Sequence, residues 1–220
     1  MKSRGIPGGH LLLYLLPLLA VTLSPEILDR IAVTVGDRVI TELQIVREVR
    51  VAAFLNGEKP DTSSASRRAA AERLVKQELM RREMQSTHYP LPGQSEAEPL
   101  EKQIVDEYGG EDKYLAALQA SGLTRDDIRQ QLWWQLTTLR FIEYRFRPAV
   151  HIPRADIESY YQEEVDKWKA QGQTNIPTLE QSHDSIEQIL TDERVDRALD
   201  SWLTEEQKRA DVRYLEDAFQ

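Results

Sequence analysis

The chain contains no cysteine, which excludes disulfides, thiolate metal ligands, thiol nucleophiles and a lipid-modified N-terminal Cys. Methionine is scarce, with only Met80 and Met84 beyond Met1. A surface built to take a partner would therefore rely on aliphatic and aromatic contacts rather than pliable thioethers. Positive charge is in deficit: 28 Lys and Arg against 37 Asp and Glu leave a formal charge of -9. Wrapping nucleic acid needs a clustered basic excess, so nucleic acid is not an expected partner, and anionic lipid is repelled as well. Also missing are a Gly-x-Ser-x-Gly elbow and a phosphate-binding glycine loop. His10, His88, His151 and His183 are scattered without a partner at metal-ligand spacing and read as surface or packing residues. No catalytic residue, cofactor or metal is expected.

Long apolar runs are equally rare. LLLYLLPLLAVTL, Leu11 to Leu23, follows Lys2 and Arg4 and has the length and polarity of a secretory signal rather than a full membrane span. The reading is export, with residues 1–23 as a signal peptide and no stable membrane insertion once it is removed. A buried apolar helix is the weaker alternative, given the flanking basic residues and Pro17. No clean Ala-x-Ala precedes Ser24-Pro25, so removal and retention as an anchor both stay open.

At 220 residues, with 40% hydrophobic and 30% charged content, the remainder reads as one helix-rich domain, 24–220. It opens with IAVTVGDRVIT, Ile31 to Thr41. Val33 and Val35 alternate with Thr34, Gly36-Asp37 supplies a two-residue turn, and Val39 and Ile40 follow. Glu42 to Phe54 then switches to a helical period. So short a hairpin is marginal alone; the predicted cover is Asp211 to Leu215 (DVRYL) at the far end of the chain.

Between the two ends lie amphipathic helices. Polar Asn56 to Ser66 precedes a helix near Arg67–Gln85 carrying Ala71, Leu74, Val75 and Leu79. After the break from Tyr89 to Pro99, a third sets Leu100, Ile104, Val105 and Tyr108 on one face and stops at Gly109-Gly110. Glu111 to Ala120 turns Tyr114, Leu115 and Leu118 inward. Thr124 with Asp127 resembles a capping box opening a long helix, Arg125 to Arg147, with Ile128, Leu132, Leu136 and Leu139 as its inward stripe. Pro153 starts a helix with Ile157, Tyr161, Val165 and Trp168. After Lys169 to Thr178, the last helix, Leu179 to Arg209, aligns Val195, Ala198, Leu199, Trp202 and Leu203.

In this order, the hairpin AVTVGDRVIT, RLVKQELMRREM (Arg73 to Met84), LQASGLTRDDIRQQL (Leu118 to Leu132), IPRADIESYYQEE (Ile152 to Glu164), ILTDERVDRALDSWL (Ile189 to Leu203) and ADVRYL (Ala210 to Leu215) resemble the substrate-binding core of SurA-type periplasmic folding chaperones. The family carries parvulin-type prolyl isomerase domains between the last two helices. Here only Asp166 to Leu179 lies there, too short for a domain of at least ~50 residues. The resemblance implies a mainly α core with a small antiparallel sheet, in which an N-terminal part, 28–165, is completed by the helix and strand of 179–216. It implies an ATP-independent periplasmic holdase rather than an enzyme, with unfolded exported polypeptides, outer-membrane proteins among them, as partners. A homodimer is compatible with it. A prolyl isomerase accessory and a signal-anchored assembly adaptor are the alternatives.

Trp133, Trp134 and Phe141 extend the apolar surface of the Arg125 to Arg147 helix beyond one stripe, so that surface is either enclosed or binds something. They are the candidate peptide-binding residues, together with Leu132 and Tyr114. The competing reading is that they pack on the last helix through Leu199 and Trp202. Asp126-Asp127 and Glu163-Glu164 sit where helix dipole and solubility account for them.

Overall fold

The computed structural model describes residues 29–87 and 89–219. The signal-peptide reading of 1–23, and His10 and His88, lie outside the described residues. Among these residues the fold is mainly α, seven α-helices with one three-stranded antiparallel sheet.

Strands β1 (Ile31–Val35) and β2 (Arg38–Thr41) form the expected hairpin. The turn requires a left-handed residue, and Gly36 supplies it at φ 61. β3 (Val212–Tyr214) pairs antiparallel with the free edge of β1, giving the order β2-β1-β3. The two ends of the domain therefore meet as predicted. β3 is shorter than Asp211 to Leu215, because Asp211 at φ 48 turns the chain out of the last helix, while Glu216–Phe219 winds into a 3-10 turn. That turn buries Ala218 and Phe219 beneath the sheet's neighbours, a closure the sequence reading missed.

Thr41 caps α1 (Glu42–Leu55), and α2 (Ser64–Ser86) starts at the Ser63 cap. Ala70, Ala71 and Val75 of α2 are fully buried with Ala32, Val33 and Val35 of β1 in one cluster. Small side chains on α2 let the sheet lie close to the helix.

The Pro-rich connection contains a 3-10 turn, Gln94–Ala97, that leads straight into α3 (Glu98–Glu107). α4 (Glu111–Ser121) ends at Gly122 in the left-handed conformation. Its Tyr114 and Leu118 point inward as expected, but Leu115 is 44% exposed. With Val51, Phe54, Leu123, Ile128 and Leu132, these two build a second core cluster.

The reciprocal Thr124–Asp127 cap opens α5 (Arg125–Arg145) as predicted. The helix stops two residues early, because Arg147–Ala149 tightens into a 3-10 turn at Pro148. Its inward stripe also differs from expectation: Leu139 is 57% exposed, whereas Thr137 is fully buried. The buried face runs Ile128, Leu132, Trp134, Thr137, Phe141. The first half of α5 packs in the second cluster and the second half in a third, so the buried face rotates along the helix. At ~100° per residue, Leu139 lies about 200° round from both Thr137 and Phe141.

α6 (Arg154–Ala170) packs on the first half of α7 (Leu179–Arg209) through Ile157, Ile186, Tyr160, Tyr161 and Leu190. Arg194 ties the base of this pair, donating to the His151 carbonyl and to Asp156. Tyr161 donates to the Pro177 carbonyl at 2.9 Å near the other end. The second half of α7 carries Val195, Leu199, Trp202 and Leu203 back to α2, α5 and the sheet. A 31-residue helix spans about 46 Å, so α7 serves both the α6 pair and the main core.

Candidate functional site

The five residues singled out in the sequence separate on folding. Tyr114, Leu132 and Phe141 are core residues, each enclosed. Tyr114 sits with Phe54 and Tyr108, whose own rings stack 5.0 Å apart. Phe141 is surrounded by Tyr89, Phe146 and Trp202, with ring centres 5.4 to 5.7 Å away. Packing on α7 through Leu199 and Trp202 thus accounts for Phe141 and for much of Trp134. Trp133 remains half-buried, its indole donating to the Pro92 carbonyl at 2.9 Å.

Trp133 and Trp134 do share one open feature. They line a cleft of about 230 Å³ bounded by β2, α1, α2 and the first half of α5. Its apolar part is a floor of buried Ile40, Val51 and Trp134 with more open Val39, Leu74 and Trp133 around it; Gln44, Gln77, Gln130 and Gln131 are its uncharged polar part. Trp133 and Gln130 also line a second hollow of about 470 Å³ beside Gln94–Ala97 and α3, so the two hollows share these two residues of α5. No single helix announces this cleft, because its walls come from four segments that look like ordinary polar surface one at a time.

Each wall is set by local rules. Gln44 is fixed by the α1 cap, where its Oε1 accepts from the Thr41 amide at 2.9 Å, leaving its carboxamide NH2 to offer. Asp127 is fixed by the α5 cap, Oδ2 accepting from the Thr124 amide and hydroxyl at 2.8 and 2.7 Å. Its Oδ1 lies 3.4 Å from Arg47 Nε, an ion pair that links α1 to α5. Glu48 accepts from Arg73 Nε at 2.8 Å and Glu78 from Arg81 Nη1 at 2.5 Å. The Arg81 guanidinium lies 5.3 Å from the centre of the Trp134 ring. Three carboxylates, two guanidinium groups, four glutamines and an apolar patch can hold an extended chain: amides meet backbone groups, the patch takes side chains.

Away from the cleft, Glu101 is buried between Arg125 Nε at 2.8 Å and Arg129 Nε at 2.6 Å. Burial, then the nearby Glu101 charge, push the Tyr114 hydroxyl up to about 12. This cluster joins α3, α4 and α5. His183, Asp184 and Glu187 bring three ligand atoms within 4.8 Å of one another on one turn of α7, a proximity the sequence reading did not see. Carboxylates on an acidic helix gather in this way without an ion, and the cluster is assigned no role. Among the described residues no helix is long and apolar enough to cross a membrane.

No family model matches the chain, and no curated protein matches it.

Proposed function

We propose that this protein is an ATP-independent holdase for unfolded exported polypeptides, working in a Gram-negative-type envelope and related to the SurA-type chaperone core. The observation that carries this reading is the cleft: exposed Val39 and half-buried Leu74 and Trp133 stand at its walls over a buried floor of Ile40, Val51 and Trp134, within reach of four glutamine carboxamides. Such a surface recognises features common to all unfolded chains, namely apolar side chains and unpaired backbone amides, instead of one sequence. Its volume is below the ~300 Å³ at which small-molecule pockets begin, which suits one or two side chains at a time. Contacts of that size, after the entropy of ordering the client, leave a modest affinity and permit release without nucleotide hydrolysis. The excess negative charge keeps the chaperone dispersed while the cleft is open. Outer-membrane proteins, with alternating aromatic and aliphatic residues, are the proposed client class.

Light scattering from several unrelated denatured proteins, diluted into buffer without nucleotide, tests the reading. Suppression for most clients at near-stoichiometric chaperone is expected. Suppression for none, or for a single dedicated partner, contradicts it and favours an assembly adaptor.

A further inference from the structure

The cleft already holds a cation of the chain's own. Arg81 lies with its guanidinium 5.3 Å from the Trp134 ring centre and donates to Glu78 Oε2 at 2.5 Å. An aromatic face on one side and a carboxylate that is only 9% exposed on the other make a seat for a guanidinium or ammonium group. The occupant is loosely kept. Arg81 is half exposed and its bond to Glu78 joins residues three apart on one helix, the weakest kind of ion pair. The second oxygen, Glu78 Oε1, has among the described residues only Arg38 at 3.9 Å, beyond hydrogen-bond reach. Asp127 Oδ1, on the opposite wall, has Arg47 at 3.4 Å, and both of these arginines are mostly in solvent.

On the polypeptide-binding reading above, the geometry points to a client preference: the cleft takes extended segments in which an arginine or lysine adjoins an aromatic or aliphatic residue. The client cation replaces Arg81 between Trp134 and Glu78, and its neighbour enters over Val39 and Leu74. An acidic segment has no cation to place in this seat and meets the excess negative charge of the whole chain, -9, so it is disfavoured. Arg81 thereby acts as an internal competitor that keeps the seat filled until a basic client arrives.

Fluorescence anisotropy on the full chain tests this, using three dye-labelled unstructured peptides of equal length and aromatic content. They carry arginine, glutamine or glutamate at the same positions. The arginine peptide is expected to bind about threefold tighter than the glutamine peptide in the wild type, because it takes over contacts that Arg81 gives up; the full worth of one cation–π contact and one charge-assisted hydrogen bond, roughly tenfold, is expected only in Arg81→Gln. The glutamate peptide binds weakest. Glu78→Gln brings the arginine peptide to the level of the glutamine one, Arg81→Gln tightens it, and Asp196→Asn, which removes the same charge on exposed α7, leaves the order intact. Equal binding of all three, or an Asp196→Asn effect as large as that of Glu78→Gln, overturns the preference and leaves the holdase reading standing. Binding of none overturns both. Should Glu78→Gln unfold, Arg81→Gln decides alone: weaker arginine-peptide binding in that variant contradicts the proposal.

Discussion

Val33 and Tyr214 face each other across the β1–β3 ladder, so the central strand of the sheet has both edges paired only when the last residues of the chain are in place. Val33 is fully buried, and Leu215 continues the closure by donating its amide to the Ala32 carbonyl at 2.9 Å. Arg68 of α2 covers the ring of Tyr214 at 4.1 Å and that of Phe219 at 5.2 Å.

The tail should therefore carry much of the stability. Phe219→Ala removes a buried ring and is expected to cost about 3–5 kcal/mol, read from urea unfolding. Truncation after Ala210 also unpairs the β1 edge and should broaden or abolish cooperative melting. A Phe219→Ala variant within about 1 kcal/mol of wild type would show that the last turn is not part of the core.

Alkaline pH should act through Tyr114. Its folded pKa of about 12 stands above the ordinary 10.0, so the folded chain holds the proton more tightly. The associated stability is fully present below pH 10 and is lost as pH rises towards 12. Tyr114→Phe removes the titrating hydroxyl and should flatten the alkaline loss. Denaturant midpoints across that window decide; an unchanged slope in the variant assigns the loss elsewhere.

Gly36 makes the hairpin turn in the left-handed region, and a Cβ there would meet Arg82 Nη1 at 2.9 Å. Gly36→Ala should cost roughly 1–2 kcal/mol through backbone strain, the flexible Arg82 moving aside. Gly36→Asn should cost less, since asparagine tolerates that region better. Thermal melts that rank alanine above asparagine in stability would contradict the turn assignment.

The elements legible in the sequence are those fixed by local chemistry. The hairpin was visible in Val33, Val35 and Gly36, the α5 cap in Thr124 and Asp127, and the end-to-end pairing in the apolar alternation of the tail. Less legible was anything decided by which neighbour a helix meets. Leu139 has the spacing of a core residue, yet the second half of α5 turns Thr137 and Phe141 to the core instead. Trp133 and Trp134 were recognisable as excess apolar surface, but not their different fates, one half-buried at Pro92 and the other beneath Arg81. Phe219 lies too close to the end of the chain to show a period. The cleft was the least visible feature, because Gln44, Gln77 and Gln130 each look like solvated helix surface until α1, α2 and α5 converge.

The central claim is that unfolded polypeptide occupies the cleft between β2, α1, α2 and α5. Photo-crosslinking tests it most directly, with a benzophenone side chain placed in turn at Gln131 on the cleft wall and at Gln173 in the exposed turn between α6 and α7, each variant mixed with a denatured client. The account predicts client adducts from position 131, suppressed by excess unlabelled client, and few from 173. Equal adducts from both positions, or adducts from 173 alone, would contradict it.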